Sequence, residues 1–244
     1  ARVAVLSPAA LRNRLSSRLS LLTSNSRDLP ERHQTLRAAI AWSYALLSED
    51  EQRAFRSLSI FQGGWSFAAA QAVLGLDELE TMEVLASLRD KSLVRVSETD
   101  DTEPRYSMLE TIQEYGFEQL AIQNELDAVR SAHANFYVEL TEQSERPIQG
   151  GPEQQFWLDV IEQELANLRF SFQSCLDQGV AEQALLLCVN LWSYWSNQGL
   201  ATEGQRWFSQ ASALATGADS LLRGAALRRM GNLAVERGAL VAAE

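Results

Sequence analysis

The 244 residues predict a mainly α-helical chain in two parts: a compact domain closed by a two-stranded hairpin, then a run of paired helices. Three observations predict it. Residues 105–120 (RYSMLETIQEYGFEQL) open with Tyr106 and Met108 on one pleat face. They continue with Leu109, Ile112, Tyr115, Gly116 and Leu120 at three- and four-residue spacing, so a strand passes straight into a helix. Before this stretch lie five helical patterns and one strand; beyond it every apolar pattern has the helical period, punctuated by Gly179, Gly199, Gly217 and Gly238.

Taken in order, Ser7 caps a first helix that starts at Pro8 and carries Leu11, Leu15, Leu19 and Leu22. The run from Thr23 to Ser26 breaks it. A second helix covers residues 33–47, with Leu36, Ile40 and Leu47 on one face. Ser48 and Glu51 form a capping box for a third, in which Phe55, Leu58, Ile60 and Phe61 are the buried set and which Gly63 and Gly64 end. A short helix follows Ser66, and another over residues 78–89 turns Met82, Leu85 and Leu88 inward. Leu93, Val94 and Val96 make a strand, residues 99–102 a turn, and Tyr106 to Met108 the return.

Helices, a hairpin and a closing helix constitute the winged-helix arrangement, here over residues 31–122, with residues 1–30 as a separate tail. Residues 123–150 form a connecting helix, ended by Gly150 and Gly151. Residues 151–244 read as helices at 153–162, 165–177, 182–197, 202–215 and 221–237. A tetratricopeptide-like pattern supports an α-superhelix there: Leu227, Met230, Gly231, Gly238, Leu240 and Ala243, preceded less strictly by Cys188, Leu191, Gly199, Gly204, Phe208 and Ala211. The chain lacks an initiator Met and stops inside a helical pattern, which reads as a fragment of a longer protein.

Charge and composition narrow the chemistry. Net charge is -11, and it is uneven: 13 basic against 14 acidic residues through Arg105, 8 against 18 after it. The second part is a poor match for nucleic acid or an anionic membrane. Cys175 and Cys188 are too few for a disulfide scaffold and fit a reducing, cytoplasmic setting. The most apolar run, residues 184–195, is too short to span a bilayer. The single lysine, Lys91, follows Asp90, so no P-loop is present and no enzymatic activity is expected. His33 and His133 lack metal-ligand spacing, and no metal is expected.

Two surfaces bear on partners. Residues 66–74, taken as the recognition helix, hold no Lys or Arg, and the hairpin sets Glu98, Asp100, Asp101 and Glu103 against two arginines. That composition predicts no direct nucleic-acid contact, because phosphate binding needs cations, with a DNA-binding winged helix or a passive protein scaffold as the alternatives. Trp192, Tyr194, Trp195, Trp207 and Phe208 form a dense aromatic group. It reads chiefly as core, with Trp192, Trp195, Arg206 and Trp207 as the candidates for a ligand or partner site.

The segments Leu29-Pro30, RHQTLRAAI with Trp42-Ser43-Tyr44, LSIFQGGW (residues 58–65), DKSLV (residues 90–94) and YSMLETIQEY (residues 106–115) resemble bacterial STAND ATPases of the NB-ARC type. These proteins are often fused to LuxR-type or SARP-type DNA-binding domains. The resemblance implies a P-loop domain preceding Ala1, ATP or ADP bound in that parent protein but no cofactor in this fragment, and a winged helix that lids the nucleotide. It implies partners in the upstream nucleotide-binding domain and in a protein or small-molecule inducer on the superhelix. Met108, Leu109 and Glu110 stand where the family has Met-His-Asp, and Leu109 replaces the phosphate-contacting His. Arg32 and His33 are further nucleotide-facing candidates.

Overall fold

The structure, a computed structural model, describes residues 31–97, 103–215 and 220–236. The helix expected over residues 8–22, the hairpin tip at 98–102, and Gly217, Gly238, Leu240 and Ala243 lie outside the described residues. The chain forms two compact units, Ala1–Val129 and Arg130–Glu244.

The first unit runs α1 (Glu31–Ala45), α2 (Glu49–Leu58), β1 (Trp65–Ser66), α3 (Phe67–Leu74), α4 (Glu78–Asp90), β2 (Arg95–Ser97), β3 (Arg105–Ser107) and α5 (Glu110–Ile122). Local chemistry sets each start. Ser48 accepts the Glu51 amide and Glu51 accepts the Ser48 amide, which completes the predicted capping box. Ser66 caps α3, and Asp77 with Glu80 forms a second box on α4. Gly75, left-handed at φ 65°, ends α3.

The sheet is antiparallel in the order β1-β3-β2, with Trp65 opposite Tyr106 and Val96 opposite Tyr106 on the other side. Trp65 stacks on Phe61 (5.1 Å) and Tyr106 (6.5 Å), and Phe55, Leu58, Ile60 and Leu88 fill the core beneath. Gly64 lets β1 approach: a Cβ there would sit 2.7 Å from the Tyr106 carbonyl oxygen, at a φ of 102°.

A buried cation knits this unit. Arg56 donates from Nε and Nη2 to both Glu125 oxygens (2.7 Å each) and from Nη1 to the Tyr44 hydroxyl (2.6 Å). Helices α1 and α2 and the turn after α5 are thereby joined through one guanidinium.

The helical unit continues with α6 (Leu126–Ile148), α7 (Gln154–Gln178), α8 (Ala181–Asn197), α9 (Ala201–Leu214) and α10 (Ser220–Glu236). The breaks at Gly179 and Gly199 fall as predicted, both with positive φ. The two helices expected at 153–162 and 165–177 are one, because Glu164 at their presumed joint is buried within α7 and accepts from Tyr137 (2.7 Å) and Asn167 (2.7 Å). A polar seam between α6 and α7 includes His133, fully buried and bonded to Ser171 (2.9 Å) and Asn167.

Burial pulls the His133 pKa down to about 3. The folded unit holds this imidazole neutral, whereas the unfolded chain protonates it near pH 6.5. Stability is therefore present above about pH 6.5 and lost as pH falls toward 3. Thermal melts are expected to drop between pH 6.5 and 4.5, above the range in which the depressed carboxylates Glu51 and Glu125 add their own loss. His133→Gln should flatten that interval; an unchanged slope would remove His133 as its cause.

Candidate nucleic-acid interface

The order α2-β1-α3-α4-β2-β3 places α4 immediately before the wing formed by β2 and β3. That is the recognition position of a winged helix. The expectation that residues 66–74 occupy it is corrected: Ala69, Ala70 and Val73 of that helix are buried, and α3 is a supporting helix. The Gly63-Gly64 break leads into the two-residue strand β1 and its supporting helix, and the reading helix is the one after that.

The exposed face of α4 is mixed. Leu85 and Leu88 face the core as expected, joined by Thr81, but Met82, expected inward with them, is 54% exposed, beside Leu79, Glu78 and Glu83. Cations collect where α4 ends and the wing begins. Arg89 and Lys91 lie at the end of α4, Arg95 is exposed on β2, and Arg105 on β3 donates to the Gly64 carbonyl (3.3 Å). Burial raises the Tyr106 hydroxyl pKa, and Arg89 is near enough to oppose that rise. Lys91 is tied to Glu51, whose carboxyl falls to about 2 chiefly through that bond and a second from Ser87. Arg89 pairs with Asp90 at 3.0 Å on the open surface. Such exposed pairs are weak and exchange readily for a phosphate.

The other predicted residues fall elsewhere. Arg32 and His33 lie in the first turn of α1. Leu109 is the N-cap of α5, has no side-chain cap bond and is 41% exposed; Met108 is half-buried and Glu110 opens the helix. In the helical unit Trp195 is fully buried, edge-on to Trp207 (5.3 Å), which stacks on Phe172 (4.0 Å). Trp192 lies under the Arg229 guanidinium at 4.2 Å. Trp195 and Trp207 are therefore core, while Arg206 is exposed. Neither Arg89 nor Arg95 was legible as a site residue, because their significance depends on which helix precedes the wing.

Residues 47–121 match the winged helix-turn-helix domain family. The chain is 36% identical over 212 residues to a Mycobacterium tuberculosis (strain ATCC 25618 / H37Rv) protein named "Putative HTH-type transcriptional regulator Rv0890c", and equally to Mb0914c of Mycobacterium bovis. Each alignment takes in 86% of this chain and 24% of the relative, so the chain spans about a quarter of the length of these relatives. A further M. tuberculosis protein, the uncharacterized Rv0894, is 35% identical over 133 residues, 53% of this chain and 34% of its own length. No solved structure gives a significant match.

The chain thus carries a winged helix-turn-helix domain followed by a helical region, and it is homologous to proteins named as transcriptional regulators. The expectation of no direct nucleic-acid contact is overturned by these matches, which point to DNA binding. Its physical flaw was to weigh the charge of a supporting helix, and to set the wing's two arginines against its acids without Arg89 and Lys91 at the end of α4. Among the described residues no helix is long and apolar enough to cross a membrane.

Proposed function

We propose that this chain is the winged-helix and helical part of a transcriptional regulator, and that its winged helix contacts duplex DNA. The observation that carries the reading is α4 in the recognition position with Arg89, Lys91, Arg95 and Arg105 gathered at the wing base. These side chains suit phosphate oxygens, whereas the Leu79, Met82 and Glu83 face of α4 offers little to guanine. Binding is then dominated by backbone contacts and depends steeply on salt.

Fluorescence anisotropy with a labelled duplex, between 50 and 200 mM salt, tests this. With up to four phosphates neutralised, log K should fall with log salt at a slope of about -3 to -4. Arg95→Ala and Arg105→Ala should each reduce that slope by about 1. Retention that ignores both salt and these substitutions would exclude the surface.

The cytoplasmic setting and the nucleotide-dependent coupling expected from the STAND resemblance belong to this proposal as properties of the whole protein. The absent P-loop in this chain supports placing the nucleotide chemistry on another domain. Supporting an effector role for the helical unit is the open groove between α7 and α9.

A further inference from the structure

The groove between α7 and α9 has a volume of about 320 Å³ and is lined by Arg169, Phe172, Gln173, Arg206, Trp207 and Gln210. Its walls come from helical spacing: Arg169, Phe172 and Gln173 share one face of α7, and Arg206, Trp207 and Gln210 one face of α9. The stacked Phe172 and Trp207 rings, 4.0 Å apart at 8°, form a rigid floor.

Charge is distributed unequally over this floor. Arg169 donates from Nε and Nη2 to the Glu203 carboxylate (2.7 and 2.8 Å), and that bonding, together with the charge of Arg206, holds the Glu203 pKa below its ordinary value. The acid beside the arginines is thus already engaged. Arg206 and Gln210, four residues apart and exposed, make no hydrogen bond or ion pair among the described residues. Gln173 gives its amide nitrogen to Asp177 (2.8 Å), which leaves its carbonyl oxygen for the groove. A guanidinium fork, flanked by amides above an apolar floor, is a receptor for a planar oxyanion.

We propose that this groove binds a small organic carboxylate, with Arg206 as the bidentate partner of the carboxylate and Gln210 and Gln173 bonding its polar substituents. The volume sets the size. Ligand pockets run from roughly 300 to 1,000 Å³, so this one, at the lower end, suits a metabolite-sized acid. The proposal rests on the helical unit alone, and its failure would leave the DNA reading standing.

Isothermal titration of the full chain with succinate tests it, with ionic strength held constant by sodium chloride. Saturable binding with a Kd of about 1 mM or tighter is expected. Arg206→Gln should weaken it at least tenfold, and Arg206→Lys should recover only part because an ammonium lacks the fork. Arg206 is exposed, so an unchanged circular dichroism melt should confirm that both variants are folded. Three results would overturn the proposal: no saturable heat, equal binding by Arg206→Gln, or binding of a glutamate-ended peptide where succinate gives none.

Discussion

Gly204→Val is expected to destabilise the helical unit severely. A Cβ at Gly204 would lie 2.6 Å from Cε3 and 2.8 Å from Cδ2 of Trp195, and 2.8 Å from Cδ1 of Leu233. None of these neighbours can yield cheaply. Trp195 and Leu233 are both fully buried, and Trp195 is wedged edge-on between Trp207 (5.3 Å) and Phe208 (6.1 Å). Alanine alone should cost on the order of 2 kcal/mol as overpacking, and valine more. Against total stabilities of roughly 5–15 kcal/mol, the second loss is severe. Urea unfolding followed by tryptophan fluorescence would show the midpoint falling from parent to alanine to valine. Midpoints that coincide would show that the helices do not cross at this glycine.

Glu125→Ala should destabilise the winged-helix unit by about 3 kcal/mol, at the lower end for a broken buried pair. The substitution removes both acceptors of the Arg56 fork, and the Arg56 side chain is only 9% exposed. Tyr44 alone then faces the stranded guanidinium. The large term is the unpaired buried cation and not the lost attraction. Arg56→Met combined with Glu125→Ala should therefore be more stable than Glu125→Ala alone. A double variant as weak as the sum of its parts would show the pair to be independent. The pH dependence has a definite sign. Arg56 lowers the Glu125 pKa, so the pair's contribution is present above about pH 4.5 and is lost as pH falls through the depressed value.

Much of the architecture was legible because short-range chemistry and the distant packing agree. Ser48 and Glu51 announced the start of α2, and Phe55 and Leu58 its buried face, both realised in the fold. The hairpin emerged from Val96 and Tyr106, which pair directly. Failures came where a tertiary partner decides. Two residues at Trp65 carry no strand period, yet Tyr106 makes them one. Glu164 looks like a surface acid until Tyr137 and Asn167 close over it. Leu36 shares a helical face with Ile40 and Tyr44 and is nonetheless 40% exposed, while those two are buried. The site suffered most. A recognition helix is defined by its position against the wing, which depends on β1 pairing with β3 and is not written in the charge of any one helix. Arg206 was legible as a polar group beside aromatics, but its distinction from the buried tryptophans needed the groove.

The ladder of Tyr137, Glu164, Asn167, His133 and Ser171 limits how α6 can travel along α7. A slide of one helical turn, about 5.4 Å, would break the rungs that cross between the helices, from Tyr137 to Glu164 and from His133 to Ser171 and Asn167, and leave the imidazole dry and unmatched while Glu164 kept only Asn167. The two helices consequently behave as a keyed shaft: any signal crossing this pair must turn or tilt them as one piece.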